Sequence, residues 1–415
     1  MTSADAQAAN VKTSPTLRRS LSLPLVVLYG LGVTIGAGIY VLVGQTAAVA
    51  GVYAPISFMI AAGVMAFTAT SFAELSCRYP VSAGEAAYVR HGLNSKWLSI
   101  LVGLMVVGSG SVSAAAISVG SAGYIRVFVG LPNEILIPCI VLVMGGLSAW
   151  GILESVLVAA VLTVIEIIGL LIIIGGGFIN RPEIVLEISQ VIPSSFDAPV
   201  WIGIGSAGLL AFFAFIGFED LVNVVEEVKE PRRTLPRAIF LTLIISTVMY
   251  FFVVSIAVLS VPIAELSTSE APLGLVFHEV TGGSPEVMSA IAIIATLNGI
   301  IIQMIMASRI LYGLANQGSL PSILSRVNPV TRTPLIATAL VVAIVMLLAM
   351  VFPLGGLAET TSRITLVVFA LVNLALIVIK AREDRPPDDI FVAKSWVPPI
   401  GLVACVLLLL SDFLG

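Results

Sequence analysis

Long apolar runs alternate with short polar clusters along most of the 415 residues. A helix that spans a bilayer needs about 20 mostly apolar residues. We count eleven such runs, at about 23–49, 54–77, 97–127, 134–150, 155–179, 201–224, 236–262, 286–314, 334–352, 361–380 and 396–414. A membrane β-barrel would instead show segments of about 10 residues with alternating polarity. The pattern therefore predicts an all-α polytopic membrane protein.

The composition excludes several other classes of protein. Hydrophobic residues make up 58% of the chain and charged residues 11%, against about 25% charged residues in soluble domains. A net charge of −4 provides no basic surface for nucleic acid. The three cysteines lack metal-ligand spacing, so we interpret them as packing thiols and expect neither a metal nor a cofactor.

The basic residues predict the orientation in the membrane. If the N-terminus is cytoplasmic, all 20 lysines and arginines lie on the cytoplasmic side except Arg126, Arg181 and Arg363. Such an asymmetry is typical of the positive-inside rule. We expect a multi-pass protein of the cell (inner) membrane with a cytoplasmic N-terminus.

Two runs contain interruptions at corresponding places. The first has four glycines between Gly30 and Gly38, and the sixth combines Gly217 with aromatic and acidic residues between Phe212 and Asp220. Paired interruptions in two halves of a chain indicate a transporter built from inverted repeats. A broken helix exposes N–H groups that bind a carboxylate and carbonyls that bind an ammonium, so the breaks favour an amino acid as substrate.

The breaks also predict the organisation of the chain. We expect a cytoplasmic tail (1–22), a first five-helix repeat (23–179), an extracellular or periplasmic loop (180–200), a second repeat (201–380), a cytoplasmic loop (381–395) and one additional span (396–415).

Four stretches carry a family resemblance: Gly32–Gly44, Ala73–Arg90, Phe212–Ile239 and Ser308–Pro334. Over about 22–380 the chain resembles the amino acid–polyamine–organocation transporter superfamily, and in particular amino acid permeases. The resemblance implies two inverted five-helix repeats, with substrate bound where helices 1 and 6 are discontinuous. Members commonly carry two further helices, whereas this chain has one, so no oligomeric state follows.

The candidate substrate site is formed by the breaks and by spans three and eight. Backbone N–H groups would bind the carboxylate and carbonyls the ammonium, and the resemblance implies an aromatic gate, for which we favour Phe215. The substrate residues are Ile35, Gly36, Ala37, Gly38, Phe213, Ala214, Phe215, Gly217, Ser109 and Asn298. Two alternatives stay open: the phenylalanines face lipid or neighbouring helices, and Ser109 and Ser113 bond to their own helix.

Acidic and amide residues at membrane depth are candidates for coupling and gating. Glu166 lies in the middle of the fifth run, where the resemblance implies a lysine in proton-coupled relatives. Glu166 is either a proton carrier or a structural acid in an exchanger or facilitator. The resemblance links Glu219 to gating and acid sensing, and Gln303 is a further coupling candidate.

Other functions fit less well. Both histidines, His91 and His278, fall in loops, and no nucleophile motif lies within a run, so an enzyme is not expected. A polyamine or organic cation remains an alternative substrate. The acid-free pocket segments of spans three and eight favour a neutral or bulky apolar amino acid.

Overall fold

The computed structural model describes residues 19–80, 84–150, 156–383 and 389–411. Within these ranges the secondary structure is helical, with one isolated parallel bridge between Leu21 and Val228. The α-helices are α1 (Leu23–Ile35), α2 (Gly38–Ala50), α3 (Ala54–Arg78), α4 (Gly84–Leu93), α5 (Lys96–Arg126), α6 (Asn133–Trp150), α7 (Val156–Asn180), α8 (Ile184–Glu187), α9 (Ala198–Phe213), α10 (Pro231–Ser260), α11 (Ile263–Thr268), α12 (Pro272–Thr281), α13 (Pro285–Asn316), α14 (Leu335–Val351), α15 (Leu354–Arg382) and α16 (Val397–Ser411).

The helices confirm the predicted class. Among the described residues, eight helical stretches are long and apolar enough to cross a membrane. The first of them, Leu23–Arg78, is 56 residues long and contains α1, α2 and α3. The shorter α14 and α16 are also apolar. Each predicted run therefore corresponds to helical structure, with the first run divided into α1 and α2.

Two helices begin earlier than their apolar runs. α10 begins at Pro231, where a proline suits the first helical position because its missing N–H needs no acceptor. α15 begins at Leu354 and includes Glu359 and Arg363, whose side chains form an ion pair of 3.1 Å one helical turn apart. The charged residues Arg232, Arg233 and Glu359 lie in these added turns, outside the apolar runs.

Burial separates interior helices from lipid-facing ones. In the most apolar 18-residue window, 78% of residues are buried in the stretch from α1 to α3, against 33% in α7. Leu142, Ile168, Leu347 and Leu407, on α6, α7, α14 and α16, are large exposed apolar side chains. These positions suit contact with lipid, whereas the most apolar part of the stretch from α1 to α3 lies in the interior of the bundle.

The end of the bundle opposite the start of α1 is covered by α11 and α12. A methyl group at Gly44 of α2 would lie 2.5 Å from the carbonyl oxygen of Leu266, so the two backbones are in close contact. Arg126 at the end of α5 forms an ion pair of 2.6 Å with Glu270. Both contacts hold the covering segment against α2 and α5.

At the end where α1 begins, which we call the basic end, a buried ion-pair network joins α3 to α15. The Glu74 carboxylate is fully buried, accepts hydrogen bonds from Arg78 at 2.6 Å and from the Ala393 backbone N–H at 2.8 Å, and forms an ion pair with Lys380 at 2.8 Å. Arg78 also pairs with Glu383. Because the carboxylate compensates two cations, it ties the end of α3 to α15 and to the segment before α16.

We expect Glu74→Gln to lower the free energy of unfolding by about 3 kcal/mol, because breaking a buried ion pair leaves uncompensated charge. The measurement is thermal unfolding of the purified protein in detergent. Glu265→Gln, at an exposed acid, is the control and should leave the melting temperature unchanged. Equal melting temperatures for the two variants would contradict a stabilising network.

Candidate functional site

The break in the first span leaves backbone donors without partners. α1 ends at Ile35, and the Gly36 N–H donates to the Gly32 carbonyl at 3.2 Å. α2 begins at Gly38, and the N–H groups of Ala37 and Gly38 meet no acceptor among the described residues. The N-terminus of a helix carries a partial positive charge. This end of α2 is therefore suited to bind an anion.

The break in the sixth span is a tight turn between Phe213 and Phe218. Gly217 has a φ of +129°, a conformation that favours glycine because it has no Cβ. A 3-10 helix (Phe218–Glu227) follows where the sequence suggested a continuing α-helix. Its period of three residues pairs Asn223 with Asp220, whose side chains are 3.2 Å apart.

The two breaks touch each other. A methyl group at Gly38 would lie 2.3 Å from the Ala214 Cα atom, and one at Gly217 would lie 2.8 Å from a Val33 methyl group. The Tyr250 hydroxyl, from α10, lies 2.7 Å from the Thr34 carbonyl oxygen and 2.9 Å from that of Ala214. One buried hydroxyl thus bonds to the exposed carbonyls of both breaks.

A cavity of about 20 Å³, the central cavity, lies beside the breaks. Its lining residues are Val33, Thr34, Ala37, Gly38, Ser113, Ile117, Phe213, Ile216, Gly299, Ile302 and Gln303. The volume holds about one water molecule. An amino acid requires more room, so these helices must move apart for one to bind.

The central cavity includes four of the predicted site residues: Ala37, Gly38, Phe213 and Gln303. Ile35 and Gly36 lie in the adjoining turn of the first break, and Ala214, Phe215 and Gly217 lie in the second. The structure places Phe213, rather than the favoured Phe215, at the cavity wall. Phe215 is fully buried and packs against Phe58 and Tyr250.

Three polar side chains at the central cavity have no hydrogen-bond partner among the described residues: Thr34, Ser113 and Gln303. Their exposed fractions are 1%, 4% and 6%. Buried polar groups are normally hydrogen-bonded. Their unmet capacity makes the cavity suited to a polar ligand.

A second cavity of about 20 Å³, the acidic cavity, shares Ile216 and Gln303 with the first. Its lining residues are Glu85, Val106, Ser109, Gly110, Ile216, Glu219, Asp220, Gln303, Met306, Thr365, Val368 and Phe369. Ser109 lies here, and its hydroxyl contacts that of Thr365 at 2.7 Å instead of its own helix.

The carboxylates of the acidic cavity have few partners. The Glu219 carboxylate accepts the Gly217 backbone N–H at 2.8 Å, within the second break. Burial raises the pKa of the Glu85 carboxyl to about 7, and the charge of Asp220 acts in the same direction. The acids therefore lie close enough to influence one another.

Glu166 and Asn298 line neither cavity. Glu166 is fully buried on α7, and neither of its carboxyl oxygens has a hydrogen-bond partner among the described residues. The Tyr40 hydroxyl donates to the Glu166 backbone carbonyl at 2.8 Å, which holds α7 against α2. Asn298 is 8% exposed on α13.

The arrangement combines a helix N-terminus with unpaired N–H groups, polar side chains without partners and a cavity of about 20 Å³, in a protein with helices apolar enough to cross a membrane. A family model for amino acid permeases matches residues 21–414. The chain belongs to the amino acid permease family. The predicted superfamily resemblance is thereby confirmed, and this permease-family chain is a multi-pass membrane transporter and not an enzyme.

Its relatives cover most of the chain. The permease-family chain is 29% identical to the branched-chain amino acid permease of Bacillus subtilis, over 95% of this chain and 88% of the relative. It is 30% identical to an uncharacterised transporter of Mycobacterium tuberculosis, over 94% of this chain and 86% of the relative. It is 29% identical to the vacuolar cationic amino acid transporter 4 of Arabidopsis thaliana, over 91% of this chain, and spans only 66% of that plant protein.

Sequence reasoning did not assign Tyr250, Thr34 or Ile216 to the site. Tyr250 lies within an apolar run, with only its hydroxyl to mark it. A buried tyrosine hydroxyl usually finds a hydrogen-bond partner. The tyrosine within an apolar run was therefore a signal for a polar contact at this depth. Nothing in the spacing of residues along the chain identified the carbonyls that it contacts.

We expect Gly38→Ala to reduce amino acid uptake at least tenfold, because the added methyl group would clash with the Ala214 backbone and push the breaks apart. The measurement is initial uptake in proteoliposomes at equal protein content. Gly63→Ala, on α3, is the control, since nothing lies within 4 Å of a methyl group there. Equal uptake by the two variants would show that the close contact is dispensable.

We expect Tyr250→Phe to lower the free energy of unfolding by about 1–3 kcal/mol, because a buried carbonyl loses its donor, and to reduce uptake. Thermal unfolding and proteoliposome uptake measure the two effects. Tyr53→Phe is the control, because the Tyr53 hydroxyl makes no hydrogen bond to a described residue. If Tyr250→Phe has wild-type stability and uptake, the hydroxyl does not stabilise the breaks and is not needed for transport.

Proposed function

We propose that this permease-family protein moves amino acids across the cell membrane by alternating access, with the substrate bound at the two breaks. The observation that carries this proposal is the unpaired N-terminal end of α2 beside a cavity that also borders the second break. The carboxylate of a zwitterion matches the free N–H groups at the start of α2, and its ammonium matches the carbonyls of the second break. The names of the relatives, a branched-chain permease and a cationic amino acid transporter, support amino acids as the substrate class.

In this proposal the start of α2 binds the substrate carboxylate through the N–H groups of Ala37 and Gly38. The turn at Ile35 and Gly36 forms the adjoining wall that the carboxylate passes. The carbonyls of Phe213 and Ala214 already accept bonds from the Ile216 N–H and Tyr250. The Phe215 carbonyl accepts none within the described residues and is the first candidate to bind the ammonium. Phe213, at the cavity wall, is the aromatic that covers the substrate.

The architecture proposed for this movement is a pair of inverted repeats over 23–179 and 201–380. The contact between Gly38 and Ala214 supports it, because it joins the broken helix of one repeat to that of the other. The basic end is cytoplasmic in this proposal. The small cavity volumes and the contacts at both ends of the bundle represent a closed state, from which either end opens in turn.

Glu166 is the proposed proton carrier. A buried carboxylate without a partner is costly, and binding a proton or approaching a cation removes that cost. Its place on α7, held to α2 by the Tyr40 hydroxyl, lets the state of Glu166 influence the helix end that binds the substrate. The alternative is exchange or facilitated movement without ion coupling. The Glu166→Gln experiment below distinguishes it from proton coupling.

The test of the transport function is uptake of a panel of labelled amino acids by proteoliposomes, with and without a pH or sodium gradient and with internal amino acid. We expect saturable uptake of at least one amino acid and inhibition by its unlabelled form. Absence of uptake for the whole panel, with a folded protein, would contradict the proposed function.

Glu166→Gln tests the coupling separately. If Glu166 carries the proton, the variant should lose accumulation driven by a pH gradient and retain exchange against internal amino acid. Glu265→Gln is the matched control at an exposed acid. Unchanged pH dependence in Glu166→Gln would favour an exchanger or facilitator with Glu166 as a structural acid.

A further inference from the structure

A larger cavity, the arginine cavity, lies at the basic end of the bundle. Its volume is about 540 Å³, a size in the range of small-ligand sites. It shares no lining residue with the central cavity or the acidic cavity. Its described lining residues are Arg19, Pro80, Glu230, Pro231, Arg232, Arg233 and Asp389. Three arginines and two acids therefore meet at a place that the proposed transport path does not use.

Backbone pairing brings Arg19 to this cavity. The Leu21 N–H donates to the Glu227 carbonyl at 3.0 Å, and the Leu21 carbonyl accepts the Lys229 N–H at 2.9 Å. These bonds hold the segment before α1 beside the segment that leads into α10. Arg19 lies two residues before the pairing, and the other two arginines lie in the first turn of α10. The fold thus gathers basic side chains from two separate parts of the chain.

The acids of the arginine cavity leave the arginines largely uncompensated. Arg233 lies 4.0 Å from Glu230, and both side chains are about three-quarters exposed, so this pair contributes little. Arg19, Arg232 and Asp389 form no ion pair with a described residue. The Arg232 backbone N–H also meets no acceptor among the described residues. Guanidinium groups bind phosphate oxygens through paired hydrogen bonds, so the cavity suits a phosphate group.

The exposed face of α10 continues from the cavity into the apolar part of the helix. Leu241, Ile244 and Val248 are exposed apolar residues, and their spacing of three and four residues places them on one face. Arg233 and Arg237, both exposed, precede them on the same face at intervals of four residues. At 1.5 Å per residue this face is about 22 Å long from Arg233 to Val248. A basic end followed by an apolar length matches the phosphate and acyl chain of a phospholipid.

We propose that the arginine cavity binds a phosphate group, and that this phosphate belongs to an anionic phospholipid whose acyl chain lies along the exposed face of α10. The guanidinium groups of Arg19 and Arg232 would bind the phosphate oxygens, with Arg233 at the edge that faces lipid. A bound lipid would link the segment before α1 to the start of α10. The inference does not depend on the proposed transport function. A free phosphate compound has the same chemistry without an acyl chain, and the experiment separates the two sources.

The experiment is thermal unfolding of the purified, delipidated protein in detergent with added phosphatidylglycerol, phosphatidylcholine or glycerol phosphate. Phosphatidylcholine controls for acyl chains, because choline balances the charge of its phosphate, and glycerol phosphate controls for the phosphate alone. We expect phosphatidylglycerol to raise the melting temperature more than either. Arg19→Gln and Arg232→Gln should each weaken its apparent affinity about tenfold, the effect of losing one hydrogen bond to a charged group. Arg326→Gln, at an exposed arginine outside the cavity, should retain the wild-type affinity.

Glu230→Gln tests the charge of the cavity in the opposite direction. It removes an acid that opposes the phosphate and keeps the backbone carbonyl that accepts the Arg233 and Thr234 N–H groups at the start of α10. We expect the apparent affinity for phosphatidylglycerol to rise about threefold. Native mass spectrometry gives a readout that does not depend on stability. The wild type should retain a phosphatidylglycerol that the double variant Arg19→Gln/Arg232→Gln loses.

Two results would overturn different parts of the proposal. If phosphatidylglycerol and phosphatidylcholine stabilise the protein equally and the arginine variants keep the wild-type affinity, the phosphate site is overturned. If glycerol phosphate stabilises the wild type as strongly as phosphatidylglycerol at equal concentration, and the arginine variants lose both effects, the phosphate site stands and its assignment to a lipid is overturned.

Discussion

The site depends on one constraint: a backbone polar group inside a bilayer must find a partner within the protein or in a cavity. An unbroken helix meets this constraint by itself, and a broken helix does not. Here the two breaks are placed against each other, and the Tyr250 hydroxyl bonds to one carbonyl from each. The groups that remain free, above all the N–H groups of Ala37 and Gly38, border the central cavity.

The same constraint explains the glycines at the breaks. Gly38 allows the backbone of α2 to approach Ala214, and Gly217 adopts a conformation that a residue with a Cβ would resist. Close approach leaves little space, which is why each cavity holds about one water molecule. Substrate binding must therefore be coupled to movement of the helices that carry the breaks.

Charge is distributed according to the same physical rule. Glu74 is buried and fully compensated, and it joins α3 to α15 at the basic end. Glu166 is buried without a partner among the described residues, and the acids beside Gln303 form a cavity of their own. A compensated acid stabilises the fold, whereas an uncompensated acid can respond to a proton or a ligand.

Much of this organisation could be predicted, because hydrophobic length and glycine density are local properties of the chain. They located the runs and both breaks. The orientation of side chains at the second break could not be predicted, because the turn at Gly217 and the 3-10 helix after it decide that Phe213 borders the cavity and Phe215 packs against Tyr250. The meeting of Glu85 with Asp220 was also hidden, since residues far apart in sequence come together only through packing of α4 against the sixth span.

The central claim is that the start of α2 and the second break hold one amino acid between them. The most direct measurement is an electron cryomicroscopy structure of the purified protein with the amino acid that it transports. We expect density for the ligand in an enlarged central cavity, with its carboxylate within hydrogen-bond distance of the Ala37 and Gly38 N–H groups. Density for the ligand elsewhere, with these N–H groups unoccupied, would contradict it.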